Sequence, residues 1–417
     1  MPETFRAPIG TQDVLPPASA RWQALIATFA GLAERYGHGL VHGPMFEDVA
    51  VFARIGDGTD IVRKEMYDFR DKGDRHLALR PEATSSVVRA YIQHHPATPW
   101  KVWCLTPAFR YERPQAGRLR QHHQLDVEVI GTADADVDVE VIALGAAYLD
   151  ALGLRRWRLR LNTMGTPADR AAYAATLSDW LQGRAGDLAP EDRGKVETHP
   201  LRVLDSKRPE TQAAIVGAPR IALDGASQAH FDRVQAGLRA LDIPYELDPG
   251  LVRGIDYYTH TLFEFQSEAL EIAESTVIAG GRYDGLVEQL GGPPTPGIGF
   301  GSGIERMLLA CDAEGVFPGP DSVLDVFVVD TTGGSAARDL AQELRTAGIR
   351  TDRAYEGRSM KSQMKAAGRS GARVAVIVGE QEAAEKAATV RDLARAEQEI
   401  VPRDQVVDRV RSILEEQ

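Results

Sequence analysis

Four arginines crowd into the segment from Phe109 to Gly131, FRYERPQAGRLRQHHQLDVEVIG, at Arg110, Arg113, Arg118 and Arg120. A planar guanidinium fork suits phosphate oxygens. The same segment carries Glu112, Gln124, Asp126 and Glu128, whose oxygens suit an ammonium or imidazole N–H. Alternation from Gln124 to Ile130 sends Leu125, Val127 and Val129 to one face and Gln124, Asp126 and Glu128 to the other. Arg110 and Glu112 share a face on the run before them, and Pro114 to Gly117 read as a turn. The segment is therefore expected to be an antiparallel hairpin that binds phosphates on one side and a small polar substrate on the other. A solvated sheet face carries a similar mixture of charges. The arginines in a turn shaped by Pro and Gly favour a site.

Two later segments add to this chemistry. In LVRGIDYYTHTLFEF, Leu251 to Phe265, an arginine precedes a glycine and two tyrosines inside a strand-like run. Glycine there suggests close approach of a ligand or of another backbone; taken alone, a bulged strand with core tyrosines explains it as well. In AGGRYDGLVEQLGGPPTPGIGFGSGIERM, Gly297, Gly299, Gly301 and Gly303 alternate, so one strand face carries no side chains. Something flat, such as an adenine ring, can lie on it. Ser302 can cap the following helix, and Arg306 sits in its first turn, where a helix N-terminus already favours anions. The spacing is not that of a dinucleotide fingerprint, and there is no Walker lysine. His94-His95 and His122-His123 are adjacent pairs without a companion Cys/His/acid set, so no protein metal site is expected.

The elements that must position these residues are legible in outline. Ser19 to Tyr36 has the apolar spacing of an amphipathic helix. LVHGPMFEDVAVF is read as extended around Pro44. RKEMYDFRDKGDRHLALRPEAT reads as strand, turn at Lys72-Gly73-Asp74, then strand, delivering Arg80 to Thr84 to a helix that Thr84 or Ser85 can cap. Lys101–Arg113 and Gln121–Gly131 are the two hairpin strands. Asp136–Leu152 is a helix and Arg156–Asn162 a strand. From about Asp169 to Leu247 the texture is helical with Gly and Pro breaks, a helical insertion outside the sheet. Sheet pattern returns over Leu251–Phe265 and Thr276–Gly303, followed by a helix from Ile304. GVFPGPDS reads as a linker. Beyond it, strands at Val323–Val329, Ile349–Thr351 and Val374–Val378 alternate with helices at Ala336–Ala347 and Met360–Ala367. A hairpin and a helix from Asp404 complete an α/β domain.

The chain has 417 residues, 43% apolar and 26% charged, enough for a sizeable core and two or three domains. Two distant cysteines imply no disulfide framework. No apolar run suits a signal peptide or a membrane span, so a cytoplasmic protein without a membrane partner is expected. The net charge of −12 gives no general encouragement to nucleic-acid binding. Locally, Arg350 to Arg373 holds seven Arg or Lys against two acids, an excess of five positive charges. This is either a solvated helix face or a phosphate-binding patch.

The three chemical segments, in this order, resemble the signature motifs of the class II aminoacyl-tRNA synthetases. PMFED around Pro44 resembles motif 1, a dimer-interface element; FRYERP…HQLDVEVIG resembles motif 2; GIGFGSGIERM resembles motif 3. RPEAT, LVRGIDYYTHTLFE and GGRYDGLVEQLGG are similar to stretches of the histidyl-tRNA synthetase family. The resemblance covers essentially the whole chain. It implies an α+β fold: a class II synthetase-like antiparallel-sheet catalytic domain over residues 1–320 with a helical insertion at about 169–247, and an α/β anticodon-binding-like domain over 323–417. It implies ATP with Mg2+, L-histidine and tRNA(His) as partners, and a homodimer.

Residue roles follow from the resemblance by position. Arg110 would contact the α-phosphate and the amino-acid carboxylate. Glu112 would meet the adenine, Gly301 and Gly303 would line the ATP site, and Arg118 and Arg306 would meet the outer phosphates. Glu82, Ala83, Thr84 and Gln124 would surround the α-amino end of histidine. Glu128, Tyr257 and Tyr258 would read the imidazole, and Arg253 would be the catalytic arginine at the α-phosphate. Four positions depart from the family's usual pattern: Ala83 and Ala279 stand for glycines, His122 for an aromatic residue, and Ile9 for an arginine before Gly10. None removes a charged catalytic group. The alternative is a histidine-sensing, non-catalytic relative resembling the regulatory subunit of ATP phosphoribosyltransferase. Such chains generally lack the C-terminal domain and the catalytic arginine, both of which this sequence has.

Overall fold

The computed structural model describes residues 4–54, 64–252, 257–271, 275–320 and 324–416. Its contacts divide the chain into two units, Met1–Val14 with Trp22–Pro318, and Leu15–Arg21 with Gly319–Gln417. In the first unit the strands are β1 (Gly39–Leu40), β2 (Phe46–Asp48), β3 (Tyr67–Arg70), β4 (His76–Leu79), β5 (Trp100–Phe109), β6 (Gln121–Ile130), β7 (Trp157–Thr163), β8 (Glu246–Leu247), β9 (Thr259–Ser267), β10 (Thr276–Arg282) and β11 (Gly297–Gly303). Among the described residues they form an eight-stranded sheet, β1-β5-β6-β11-β10-β9-β7-β8, and a three-stranded one, β2-β4-β3. The large sheet is antiparallel except where β1 and β8 join its edges in parallel.

One face of the large sheet is apolar. Leu125, Val127 and Val129 of β6, Phe263 and Phe265 of β9 and Phe300 of β11 are buried in a single cluster. Leu25 and Phe29 of the helix Ala18–Arg35 join it, as do Ile142 and Leu149 of Ala135–Ala151 and Phe231, Val234 and Leu238 of Gly225–Ala240. Each buried side chain of this size contributes about 1.5–3 kcal/mol, so this face fixes the sheet and leaves the opposite one free for polar work. The helix Ala135–Ala151 is also tied down by charge. Arg282, 0% exposed, donates to Asp138, also 0% exposed, and to the Thr132 and Asp134 carbonyls at 3.0 and 3.2 Å.

The three-stranded sheet serves the site through the segment that leaves the end of β4. Arg80 is buried and donates from Nε to the Pro107 carbonyl at 2.9 Å and from Nη1 to that of Pro44 at 3.2 Å. This anchors the end of β4 to β5, so that Glu82, Ala83 and Thr84 open the helix Thr84–His94 beside the hairpin.

Several sequence expectations change. Val49–Ala53 is a short helix, not extended chain, with Asp48 accepting from the Ala50 N–H. Neither Thr84 nor Ser85 caps its helix: the preceding residue is Ala83, and the Glu82 carboxylate accepts from the Ser85 N–H at 3.0 Å. Ser302 does not cap either, since its hydroxyl donates to the Val277 carbonyl at 3.1 Å. The helical stretch after Asp169 does not stay apart from the sheet. Its helix Gly225–Ala240 packs into the main core, and Glu246–Leu247 pairs with Arg160–Leu161. Periodicity identifies an amphipathic helix but not the surface on which it packs.

In the second unit, β12 (Val326–Asp330), β13 (Thr351–Arg353), β14 (Val374–Val378), β15 (Ala387–Asp392) and β16 (Glu397–Pro402) form the sheet β13-β12-β14-β15-β16. The first three strands are parallel and the last two antiparallel. Ala337, Leu340, Ala341 and Leu344 make the buried stripe of the helix Ser335–Thr346, at the spacing a helix needs to present one face. The basic run is partly neutralised within this unit. Arg350 pairs with Asp325, Arg358 with Glu356, and Arg373 lies 4.0 Å from Asp392. Lys361, Lys365 and Arg369 remain exposed at four-residue steps along the helix Met360–Arg369. None of the described helices is long and apolar enough to cross a membrane.

Candidate active site

The polar face of the large sheet lines an open cavity of about 500 Å³. The hairpin supplies its centre. Arg110 follows β5; its backbone N–H donates to the Arg120 carbonyl at 2.9 Å and its side-chain Nε to the Pro81 carbonyl at 2.9 Å. The guanidinium is thus held against the Glu82–Thr84 segment. Glu112 is buried and ion-paired with Arg118. The connecting turn is closed by paired backbone bonds between Gln115 and Arg118, and Gly117 adopts φ +65° there, a conformation that favours glycine. Arg306 donates to the Thr276 carbonyl at 3.1 Å, which holds it at the β10 side. Its neighbour Glu305 accepts from both the backbone and ring nitrogens of His123, near 3.1 and 3.0 Å. His122 is held neutral: burial first, then the Arg110 charge, push its pKa down to about 3.

The amino-acid-sized end of the cavity is acidic. Glu82, Thr84, Gln124 and Asp126 line it with Tyr257 and Tyr258, whose rings lie 4.8 Å apart. Glu128 lies beneath this surface, 1% exposed. The Thr84 hydroxyl donates to one of its oxygens at 2.6 Å and the Tyr283 hydroxyl to the other at 2.5 Å. Burial pushes the Glu128 carboxyl up to about 8, against those two bonds. Asp126 is pushed up to about 7, again by burial, with the Glu82 charge adding to it. Such a floor holds protons while empty and gives them up to a cation or a strong N–H donor.

The glycines of β11 divide into two kinds. A side chain at Gly297 would overlap the Tyr283 ring, and one at Gly299 would overlap the Glu128 carboxylate, its register partner on β6. These two glycines make room for protein groups, not for a flat ligand. Gly301 and Gly303 line the cavity; an added carbon at Gly301 would stand 2.7 Å from Asp126 Oδ1 and 2.9 Å from Gln124 Nε2, whereas at Gly303 the nearest atom is Arg306 Cβ at 3.9 Å. The open glycine face is therefore shorter than the alternation alone suggests.

The fold thus brings Glu82, Ala83, Thr84, Arg110, Glu112, Arg118, Gln124, Tyr257, Tyr258, Gly301, Gly303 and Arg306 to one cavity, with Glu128 just behind it. Arg253 lies outside the described residues; Val252 and Tyr257 on either side of it line the cavity. Sequence reasoning misses Tyr283, even within the GGRYDG stretch, because its bond to Glu128 depends on the β6-β11-β10 register. It also misses Arg160, Glu264 and Gln266 on the neighbouring strands, and Asp205, Lys207 and Gln212, which reach the cavity from the helical stretch. Period-2 alternation marks Glu264 and Gln266 as sharing a face; nothing local marks the last three.

Known proteins identify the family and the fold. The family model for histidyl-tRNA synthetase matches residues 10–307, and that for the anticodon binding domain matches 325–413. The chain is 47% identical over 421 residues to a histidine–tRNA ligase of Rhodococcus erythropolis, covering 99% of each, and 45% identical over 406 residues to one of Lactiplantibacillus plantarum, covering 94% of this chain and 95% of that one. Its fold matches the solved apo histidyl-tRNA synthetase of S. aureus with a TM-score of 0.82 and 35% identity, covering 98% of this chain and 100% of the other. The chain belongs to the histidyl-tRNA synthetase family, with a mixed α/β fold rich in antiparallel sheet and an anticodon-binding domain at its C-terminus.

Proposed function

We propose that the chain is a histidine–tRNA ligase: it activates L-histidine with ATP to histidyl-adenylate and transfers the histidyl group to tRNA(His). The observation that carries this reading is the convergence of Arg110 and Arg118 of the hairpin with Arg306, from far along the chain, on a cavity whose acidic end is also lined by Tyr257 and Tyr258. Arg110 sits between the two halves, held to Pro81 beside the acidic end. It meets both the α-phosphate and the histidine carboxylate. Arg118 and Arg306 take the outer phosphates, Glu112 the adenine, and Gly301 and Gly303 leave room for the nucleotide. Glu82, Thr84 and Gln124, with Ala83 beside them, hold the α-amino group. Tyr257, Tyr258 and the Glu128 carboxylate behind Thr84 recognise the imidazole.

In the first step a histidine carboxylate oxygen attacks the α-phosphorus in line, and the bond to the β-phosphate oxygen breaks, releasing pyrophosphate. Such a step needs concentrated positive charge more than an acid or a base. Arg110 supplies part of it and Arg253 the rest. Magnesium enters with ATP as part of the substrate. In the second step a terminal ribose hydroxyl of the tRNA attacks the histidyl carbonyl carbon and AMP departs.

Residues 1–320 form the catalytic domain and 323–417 the anticodon-binding domain, in a cytoplasmic homodimer. Leu40, Met45, Phe46 and Phe69 are exposed around the Pro44 segment, as a subunit contact there requires. Histidine-dependent exchange of pyrophosphate into ATP tests the proposal. Exchange with histidine and not with the other amino acids supports it. Folded protein that binds histidine without exchange would instead be a sensor.

A further inference from the structure

Part of the cavity wall comes from Leu204, Asp205, Lys207 and Gln212, a stretch remote in sequence from the arginine-bearing segments. Its position is built around one buried carboxylate. Asp192, 0% exposed, accepts from Lys195 Nζ at 2.8 Å, Ser206 Oγ at 2.5 Å, Arg208 Nη1 at 3.1 Å and Thr211 Oγ1 at 2.9 Å. Gln212 Nε2 donates to the Ser206 carbonyl at 2.6 Å. Ser206 and Arg208 are thereby pinned on both sides of Lys207. Lys207 itself is exposed, faces the cavity and has no ion-pair partner among the described residues. A fully buried aspartate is costly unless several donors satisfy it, and here the donors it gathers fix the loop that carries a free cation.

The side from which Lys207 comes matters. Val203 and Leu204 are buried in the same apolar cluster as Leu251, Val252, Tyr257 and Tyr258. The loop therefore belongs with the amino-acid end of the cavity, whereas Arg118 and Arg306 stand on the hairpin turn and on the helix Ile304–Glu314. A hydroxyl attacking the histidyl carbonyl must arrive at the amino-acid end, and it brings a phosphate one ribose away. We propose that Lys207 binds a backbone phosphate of the 3′-terminal nucleotide of the tRNA and so positions its ribose for the transfer step. In that step the ribose oxygen forms the new ester bond to the carbonyl carbon, the bond from that carbon to the phosphate oxygen breaks, and the hydroxyl proton leaves with the departing AMP. The inference rests on the ligase reading.

The test compares Lys207→Ala, Lys207→Glu and Lys207→Arg with wild type in two assays. One is single-turnover transfer from preformed histidyl-adenylate to tRNA(His); the other is histidine-dependent pyrophosphate exchange. A charge-assisted bond to phosphate predicts transfer slowed about tenfold or more in Lys207→Ala, more in Lys207→Glu, and largely restored in Lys207→Arg. Exchange should change less than about twofold. A raised KM for ATP in exchange would put the lysine on ATP and overturn the proposal. Unchanged transfer in both Lys207→Ala and Lys207→Glu would return it to solvent and overturn it too. Wild-type protein without exchange would remove the ligase reading itself, an outcome separate from either. Thermal melts of the variants, altered at an exposed position, check that each is folded.

Discussion

Replacing Glu128 by glutamine removes one proton-binding group from beneath the amino-acid end of the cavity and changes its shape little. With its pKa pushed up to about 8, the carboxyl is about nine-tenths protonated at pH 7 in the empty site. An imidazole N–H needs the carboxylate as its acceptor, so histidine binding must displace that proton. At pH 7 wild type should release about 0.9 more protons per histidine bound than Glu128→Gln, and the difference should fall to about 0.1 at pH 9. Affinity follows the same balance. A bond to a charged acceptor is worth about 1.5–3 kcal/mol, but wild type spends about 1.4 kcal/mol at pH 7 giving up the proton. The variant should therefore bind histidine only about fivefold more weakly at pH 7, and increasingly weakly in comparison above pH 8. Titration calorimetry in two buffers of different ionisation enthalpy reads the proton count directly. Equal proton release by wild type and variant at pH 7 would refute the reasoning. The same raised pKa makes the ligand-free protein less stable as pH rises from about 4.5 to about 8, because the folded form keeps a proton that the unfolded chain releases. That part of the slope should vanish in thermal melts of the variant.

Tyr283→Phe deletes one of the two hydroxyls bonded to Glu128, so the carboxyl should rise further and the histidine-affinity profile should move up by about one pH unit; a profile identical to wild type would show that the bond is not felt. Gly299→Ala places a carbon on the Glu128 carboxylate and should cost about 1–3 kcal/mol of stability as well as histidine affinity, read by denaturant melts and calorimetry. An unchanged melt would mean that the strand pair has room to yield. Reversing Lys361, Lys365 and Arg369 to Glu together should raise the aminoacylation KM for tRNA, most strongly at low salt, while leaving pyrophosphate exchange alone. A KM that does not move assigns the helix face to solvent.

The hairpin is legible because its information is local. Alternation along Gln124–Ile130 alone separates the core residues Leu125, Val127 and Val129 from the polar Gln124, Asp126 and Glu128, and the turn announces itself through Pro114 and Gly117. The roles proposed for Glu82 and Thr84 come only through resemblance, since nothing local marks the start of the helix Thr84–His94 as a site, whereas Arg306 is marked by its place in the first turn of the helix Ile304–Glu314. The hidden features depend on register and on long-range packing. The Tyr283–Glu128 bond spans 155 residues and exists because β11 lies between their strands with glycines facing both groups. Read as one continuous open face, the same glycines point to a ligand where three of the four, Gly297, Gly299 and Gly301, accommodate protein side chains. The Asp192 centre is hidden for a similar reason: Lys195, Ser206, Arg208 and Thr211 share no periodic pattern, and only folding brings them to one carboxylate. Capping fails as a guide at Thr84 and Ser302 because both hydroxyls are used elsewhere, on Glu128 and on the Val277 carbonyl.

Attachment of histidine to tRNA by the purified chain tests the central claim most directly. Labelled histidine, ATP, magnesium and a tRNA(His) transcript are mixed with the protein, and acid-precipitable label is followed. The account predicts stoichiometric histidyl-tRNA that requires ATP, and no charging by the other amino acids under the same conditions. Folded protein that binds histidine and ATP yet leaves the tRNA uncharged would contradict it.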